Sequence, residues 1–343
     1  MKILFITFPL AFQSPGGGEQ IILYSKKALE LRGHEVDLFD PWKHKVTDYD
    51  LVHYFSCLTW WDWKAIKSYE VPLVVTPTLW PDKSFLIKRL ELFKDFLRLR
   101  LGSRETFSLR GYLKYPDVFL PATTIESSLL ESFYDIPVKK LITIGNGVDA
   151  PKIISNDSNA FTKEVGLKDF ILFSGSIRPN KNIDKLILAC QKLRLNLVIM
   201  GEASFGTQEY EQYCRKIAGK ETVFIGFKEK GSRLYDEIYN AAKLVAIPSD
   251  FETFCLAAAE AAAIGKPIVV PRVGGTTCVY GDDAYYLENP QSLSSLCEVL
   301  EKVISEDSQV LKEKGVRIAA SMKADYSWNS VAQKLEDTYS RLI

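Results

Sequence analysis

The segment 243–275 places two short apolar runs on either side of an alanine-rich run. The first apolar run ends at Ile247, the alanine-rich run spans Phe254–Ile264, and the second apolar run is Ile268–Pro271. Short apolar runs bounded by turn residues are typical of buried strands, whereas the longer run has the length of a helix. The segment therefore predicts a strand–loop–helix–strand unit, which favours a parallel sheet.

Two carboxylates occupy defined places in this unit. Glu252 stands just before the predicted helix and Glu260 inside it. The N-terminus of a helix favours an anionic ligand group, because its free N–H groups and the helix dipole attract negative charge. A carboxylate about two turns further along can accept hydrogen bonds from hydroxyls of the same ligand, as an acidic residue does with ribose in dinucleotide-binding folds. The pair predicts a site for a ligand with anionic groups and hydroxyls.

Strands and helices alternate along the chain in two series. The predicted strands are Lys2–Phe8, Val36–Phe39, Leu51–Phe55, Leu73–Thr76, Val118–Pro121, Leu141–Ile144, Phe170–Ser174, Asn196–Met200, Thr222–Ile225, Lys243–Ile247 and Ile268–Pro271. The predicted helices are Gln20–Arg32, Ile125–Phe133, Ile183–Arg194, Gln208–Ala218, Arg233–Ala242 and Phe254–Ile264. This alternation predicts an α/β chain with a parallel sheet in each half and helices on both faces. The polar stretch 149–163 is interpreted as the linker between the halves.

Composition favours a soluble enzyme of two domains. The chain has 343 residues, of which 47% are hydrophobic, and its 43 Lys plus Arg balance 43 Asp plus Glu, so no net charge attracts nucleic acid. Its six cysteines form no Cys-x-x-Cys pair and it has three histidines, so neither a disulfide framework nor a metal site is expected. The opening MKILFITFPL is interpreted as a strand, and no apolar stretch is long enough to span a bilayer. A cytoplasmic location is expected.

The spacing of Glu252 and Glu260 resembles the Glu-x7-Glu motif of retaining GT-B glycosyltransferases, the family 4-like enzymes called glycosyl transferases group 1. The Pro-Ser before the first glutamate, and the Gly-Lys-Pro, strand and Gly-Gly after the second, also resemble this motif. Further landmarks of that family follow in the same order along the chain: Gly16-Gly17-Gly18-Glu19, Gly33-His34-Glu35-Val36, Asn146-Gly147-Val148-Asp149, Ser174–Asn182 and Tyr326–Leu342. The resemblance covers nearly the whole chain except about 82–115.

The resemblance implies a GT-B fold, in which two Rossmann-like, doubly wound domains face each other across a cleft. Residues 1–149 would form the N-terminal acceptor-side domain and 150–325 the domain that binds the nucleotide-sugar, while a last helix, 326–343, crosses back onto the first domain. The implied activity is transfer of a sugar from a nucleotide-sugar to a glycan, lipid-linked or small-molecule acceptor with retention of the anomeric configuration. No metal or other cofactor is implied, since protein cations compensate the charge of the leaving diphosphate.

The resemblance also assigns roles to residues of this sequence. Glu252, Lys181 and Arg178 would act at the reacting centre, Glu252 on hydroxyls of the donor sugar and the two cations on the diphosphate. Glu260 would hold the ribose. The further donor-binding candidates are Gly17, Gly18, Ser176, Thr253, Phe254, Cys255 and Leu256, and the acceptor-side candidates are Thr78 and His53.

Three positions depart from the family's pattern. Ser176 stands where the family has an arginine, so Arg178 in the same loop becomes the candidate for the second cation. Cys255 replaces a usual glycine, and its Cβ narrows the space in which backbone N–H groups approach the donor. Thr78 replaces a histidine close to the reacting sugar, and a threonine cannot act as a base near neutral pH.

Two alternatives of the same fold stay open from the sequence. A nucleotide-sugar epimerase would need no acceptor, and a catalytically silent nucleotide-sugar or glycan-binding protein would account for the three departures. The segment 83–110 bears on this choice, because its basic residues outnumber the acidic ones and its apolar residues have helical spacing. It is consistent with peripheral contact with an anionic membrane, or with a helix pair packed on the first domain.

Overall fold

The computed structural model describes residues 1–8, 11–13, 16–55, 63–77, 113–154, 160–167 and 169–343. Thr78 and the basic segment 83–110 lie outside these ranges. The chain divides into two compact units, one made of Met1–Gly145 with Val331–Ile343 and the other of Asn146–Ser330. Within the described ranges, none of the helices is both long and apolar enough to cross a membrane.

The first unit is built on a parallel sheet. Its described strands are β1 (Lys2–Ile6), β2 (Glu35–Leu38), β3 (Leu51–Phe55), β4 (Leu73–Thr76) and β5 (Val118–Phe119), and its described helices include α1 (Gly17–Glu30), α2 (Trp63–Ser68) and α3 (Thr124–Tyr134). The strand order is β2-β1-β3-β4-β5. β1 and β3 are apolar along nearly their whole length because both faces of a parallel sheet are covered, and every residue of β3 is buried.

The second unit contains a parallel sheet that begins after the segment 146–170. Its strands are β6 (Ile171–Ser174), β7 (Leu197–Met200), β8 (Thr222–Gly226), β9 (Leu244–Ala246), β10 (Ile268–Pro271) and β11 (Tyr285–Leu287). Its described helices are α4 (Ala160–Val165), α5 (Ile183–Leu193), α6 (Gln208–Ile217), α7 (Arg233–Ala241), α8 (Leu256–Ala263), α9 (Thr276–Tyr280), α10 (Leu293–Ser305) and α11 (Ser308–Tyr326).

The strand order of this second sheet is β11-β10-β9-β6-β7-β8. The chain therefore leaves β6 towards β7 on one side of the sheet and later returns to pair β9 with β6 on the other side. This reversal is a topological switch point, and ligands of doubly wound sheets bind there, beyond the carboxyl ends of the strands.

Helices α8 and α11 approach each other backbone to backbone. Six of the eight residues of α8 are alanine, and their small side chains allow neighbouring elements to approach the helix closely. A Cβ built on Gly315 of α11 would lie 2.4 Å from the carbonyl oxygen of Gly265, which follows α8. Glycine is therefore required at 315 for this approach.

The last helix, α12 (Trp328–Ser340), follows α11 after a break at Ser327. Its residues from Val331 onward belong to the first unit. There Arg32 Nε donates a hydrogen bond of 2.7 Å to Glu336. The hydroxyl of the buried Tyr339 lies 2.6 Å from Nδ1 of His53 on β3. The helix is thus fastened to the first unit by an ion pair and by a buried polar contact.

His53 is a packing residue of the first unit. Its ring is 1% exposed, its Nε2 lies 2.8 Å from Thr76 Oγ1, and it stacks on Phe55 with ring centroids 4.1 Å apart. This position does not support the predicted acceptor-side role, because the ring has almost no exposed surface and both nitrogens are in contact with neighbouring hydroxyls. Burial lowers the pKa of His53 to about 3.

We expect His53 to make the stability of the protein depend on pH. In the unfolded chain it takes up a proton below about pH 6.5, whereas in the folded protein it stays neutral down to about pH 3. The unfolded state binds more protons in this window, so the free energy of unfolding falls as the pH is lowered. Between pH 7 and pH 5 the titration of His53 is expected to lower the free energy of unfolding by about 2 kcal/mol. Urea unfolding at both pH values measures this change.

The matched variants for this measurement are His53→Gln and His44→Gln. The first removes the buried titrating ring. Its loss of unfolding free energy between pH 7 and pH 5 is therefore expected to be about 2 kcal/mol smaller than the loss in wild type. The second replaces a half-buried histidine of the same unit and is expected to keep the wild-type change. Equal losses in wild type and His53→Gln would contradict the prediction.

The predicted elements agree with the structure apart from their ends and from two segments. Leu141–Ile144 is not a strand, because Leu141 forms an isolated bridge with Phe119 that does not extend into a ladder. The N–H of Ile144 donates to the carbonyl of Pro121 at 3.0 Å, but Pro121 has no N–H to donate in return, so the two segments do not form a regular ladder. Helix α4 begins inside the predicted linker, where the apolar Phe161 is buried in the core. The sequence patterns do not single out β11, α10 or α11.

Candidate active site

The loops that follow β6 and β9 are joined to each other at the switch point of the second sheet. The side-chain Nδ2 of Asn182 donates to the carbonyl of Pro248 at 2.9 Å and to Oδ1 of Asp250 at 2.7 Å. The backbone N–H of Asp250 donates to the carbonyl of Asn180 at 2.9 Å. Asn182 has a left-handed backbone with φ of 50°, a conformation that asparagine tolerates better than most residues. These bonds hold the segments 180–182 and 248–250 of the two loops against each other.

Lys181 and Glu252 form an ion pair across these two loops. Lys181 Nζ lies 2.6 Å from Glu252 Oε1, and Ser249 Oγ donates to the same oxygen at 2.7 Å. The side chains are only 20% and 11% exposed, so solvent screens the pair weakly. Burial alone would lower the pKa of Lys181, but the charge of Glu252 and the hydrogen bond between them raise it above its ordinary value. The switch point thus carries a fixed cation beside a fixed carboxylate.

The backbone of Glu252 is held by the loop after β10. Glu252 and Gly274 form a parallel bridge, and the N–H of Gly275 donates to the carbonyl of Glu252 at 2.9 Å. Gly274 has a φ of 103°, and a Cβ built there would lie 2.0 Å from the carbonyl oxygen of Glu252. Gly274, the first glycine of the Gly-Gly pair, is therefore required for the close approach that positions Glu252.

Cys255 stands at the N-cap of α8 in a left-handed conformation, with φ of 65° and ψ of 73°. This conformation accounts for the glycine that the related family usually has here, since an L-residue is strained in it. The buried Tyr280 hydroxyl lies 2.8 Å from the Cys255 carbonyl and 2.7 Å from that of Phe254, which holds the turn. Burial raises the pKa of the Cys255 thiol well above its ordinary value. Thr253 and Leu256, on either side of these residues, are half-buried.

Glu260 lies on α8 and is surrounded by polar side chains that the sequence does not predict. Lys230, in the loop after β8, places its Nζ 2.6 Å from Glu260 Oε1. Tyr235 and Tyr239 of α7 both donate their hydroxyls to Oε2, the second at 3.0 Å. Glu260 itself is 4% exposed. The signal for this cluster was the spacing of the two tyrosines, which places them on one face of α7.

The remaining candidates are dispersed over the two units. Arg178 is exposed, and its Nε donates to Ser204 Oγ at 2.7 Å. Ser176 is half-buried in the loop after β6. Gly17 and Gly18 begin α1 in the first unit, and His53 lies in β3 of the same unit. Thr78 lies outside the described residues. The second unit therefore contains the Lys181–Glu252 ion pair, Cys255 at the N-cap of α8 and Glu260 within that helix. Within the described part of the chain, no three His, Cys, Asp or Glu side chains are grouped to hold a metal ion.

Comparisons with known proteins show what the second unit and the whole chain are similar to. Residues 156–319 match the family described as Glycosyl transferases group 1. The lipopolysaccharide 1,2-N-acetylglucosaminetransferase of Salmonella typhimurium is 26% identical over 234 residues, which are 62% of this chain and 60% of that protein. The D-inositol 3-phosphate glycosyltransferase of Xylanimonas cellulosilytica is 27% identical over 310 residues, 85% of this chain and 72% of that protein.

Solved structures identify the fold. Anabaena Alr3699/HepE in complex with UDP superposes with a TM-score of 0.76 at 18% identity, covering 99% of this chain and 100% of that chain. The same protein in complex with UDP-glucose gives a TM-score of 0.75 at 19% identity, with the same coverage. The fold is therefore GT-B, and residues 156–319 are similar to the glycosyl transferases group 1 family.

Proposed function

We propose that this chain is a glycosyltransferase that moves a sugar from a nucleotide-sugar to a glycan, lipid-linked or small-molecule acceptor, with retention of the anomeric configuration and without a metal ion. The observation that carries the proposal is the state of Glu252. Its Oε1 is held by Lys181 and Ser249, whereas its Oε2 accepts no hydrogen bond from any described residue. One oxygen is thus fixed by the protein, and the other is left for a hydroxyl of the donor sugar.

The neighbouring side chains fit the rest of such a donor. An ammonium group has three N–H donors, so Lys181 can bond Glu252 and still bind oxygens of the leaving diphosphate, whose developing charge it compensates. Glu260 is the candidate for the ribose hydroxyls. Residues 150–325 would form the donor domain, and 1–149 with 326–343 the acceptor side. The UDP and UDP-glucose complexes of HepE support a nucleotide-sugar donor, and the transferase names of both sequence relatives support a transfer reaction.

A thermal-shift panel with UDP, GDP, ADP, CMP and dTDP tests the proposal. A nucleotide that binds the folded protein alone adds about 2.7 kcal/mol at 100 times its Kd. For domains of this size we expect a rise in Tm of several degrees for the donor's nucleotide. Five unchanged transitions would contradict a nucleotide-sugar site.

The sugar nucleotide of the selected base then separates transfer from the alternatives. We expect slow hydrolysis of the donor, or transfer when an acceptor is present, with the anomeric configuration of the product read by proton NMR. Binding without turnover would indicate a silent binding protein, and conversion of the donor into its epimer would indicate an epimerase. Activity that is unchanged by a chelator supports the absence of a metal.

A further inference from the structure

The hydrogen-bonding capacity of Glu260 is nearly used up by the protein itself. A carboxylate offers about four lone-pair positions, two on each oxygen. The hydroxyls of Tyr235 and Tyr239 occupy both positions on Oε2, and Lys230 occupies one on Oε1. Among the described residues nothing else bonds to Oε1, so a single acceptor position remains.

The donors that surround Glu260 are themselves held in place. Tyr239 is fully buried, its hydroxyl is hydrogen-bonded with Ser174 at the end of β6, and it lies 3.4 Å from the hydroxyl of Tyr235. Burial raises the pKa of both tyrosines well above the ordinary value, so both stay protonated and act as donors. The carboxylate therefore has little freedom to rotate, because turning it would exchange the oxygens and break three bonds at once.

We infer that Lys230, Tyr235 and Tyr239 are positioning residues for Glu260, and that the carboxylate they hold recognises one ribose hydroxyl rather than two. This inference rests on the proposed function, since it takes Glu260 as the ribose acceptor. The free position on Oε1 accepts one hydroxyl in a charge-assisted hydrogen bond. The other ribose hydroxyl finds no place on this carboxylate while Lys230 stays bound.

The inference is tested with UDP, 2′-deoxy-UDP and 3′-deoxy-UDP, or with the same trio built on whichever diphosphate the panel selects. Dissociation constants of wild-type protein are measured by calorimetry. We expect one deoxy analogue to bind about 10- to 150-fold more weakly than the parent, because it lacks the bonded hydroxyl. The other analogue is expected to bind within about twofold of the parent. Similar losses for both analogues, or no loss for either, would overturn the inference.

The positioning role is tested by Tyr235→Phe, which removes the hydroxyl and keeps the ring. We expect the preference for the parent over the weaker analogue to fall at least about threefold, because Glu260 loses one of its fixed donors. Tyr213→Phe, on the exposed face of α6, is the control and is expected to keep the preference. A Tyr235→Phe variant with a lower Tm and an unchanged preference would show a structural role alone.

The outcomes also separate this inference from the proposed function. If no nucleoside diphosphate binds wild-type protein, the donor site itself is refuted. If the parent binds and both deoxy analogues lose affinity alike, the donor site stands and only the single-hydroxyl recognition is refuted. The wild-type trio gives this answer even if Tyr235→Phe does not fold.

Discussion

Lys181→Ala is expected to lower the free energy of unfolding by about 3 kcal/mol, because it leaves Glu252 buried without its cation. It is also expected to weaken the binding of a nucleoside diphosphate about 10- to 150-fold while changing the binding of the nucleoside little. The two ligands differ because Lys181 would bind the negatively charged diphosphate, which the nucleoside lacks. Urea unfolding and calorimetry with the two ligands measure both effects.

The double variant Lys181→Ala with Glu252→Gln separates these two losses. It is expected to recover most of the stability, since the buried charge is gone, but none of the diphosphate affinity. Lys192→Ala, which removes an exposed lysine at the far end of α5, serves as the control for loss of a cation. A wild-type ratio of diphosphate to nucleoside affinity in Lys181→Ala would refute its role on the phosphates.

Arg178→Ala addresses the second cation with the same pair of ligands. Its guanidinium donates to Ser204 in the structure, and it is exposed. A loss confined to the diphosphate would place Arg178 on the phosphates, in compensation for the serine at 176. An unchanged ratio would leave it as a surface residue.

Gly274→Ala is expected to lower the free energy of unfolding by about 3–5 kcal/mol. The new Cβ would meet the carbonyl of Glu252 at 2.0 Å, and the φ of 103° is itself unfavourable for alanine. Because the displaced atoms belong to the backbone of Glu252, we expect turnover to fall more than nucleotide affinity. Urea unfolding and steady-state kinetics measure the two effects.

Gly281→Ala is the matched control for this substitution. Gly281 also has a positive φ, of 52°, but a Cβ built there meets nothing within 4 Å. Its φ of 52° with ψ of −135° is unfavourable for alanine, so it carries backbone strain without the clash, and a loss of about 1–3 kcal/mol is expected. Equal losses at 274 and 281 would mean that the clash with Glu252 is relieved by movement of the loop.

The fold could be predicted in outline from the sequence, because it depends on local pattern. Buried parallel strands are apolar runs and the helices between them are amphipathic, so most elements were located within a few residues of their ends. The strand predicted at Leu141–Ile144 has the right pattern, but whether it extends depends on the neighbouring segment, where Pro121 has no N–H. Helix α4 was missed because polar residues dominate its surroundings, while the apolar Phe161 of this helix is buried in the core.

The candidate site was predictable where a local motif carries its residues. Glu252 and Glu260 follow from the pattern of the segment 243–275, and Lys181 follows from the family resemblance of the loop after β6. The structure places all three in one unit. Lys230 approaches Glu260 from a different loop, and no periodicity indicates that contact. His53 shows the reverse: a histidine near the end of a strand suggests a ligand, but α12, far along the chain, covers it with Tyr339.

Under the proposed function, the contact between Gly265 and Gly315 has a consequence for donor selection. Backbone atoms that touch cannot be trimmed or enlarged by substitution, so the axis of α8 is fixed against α11 and cannot slide to fit a different ligand. Glu260 is carried on that axis and stays at one distance from the sheet. New donor preferences would then arise by substitution of the side chains that reach towards α8 from neighbouring loops. The position of the helix, and of Glu260 on it, would stay the same.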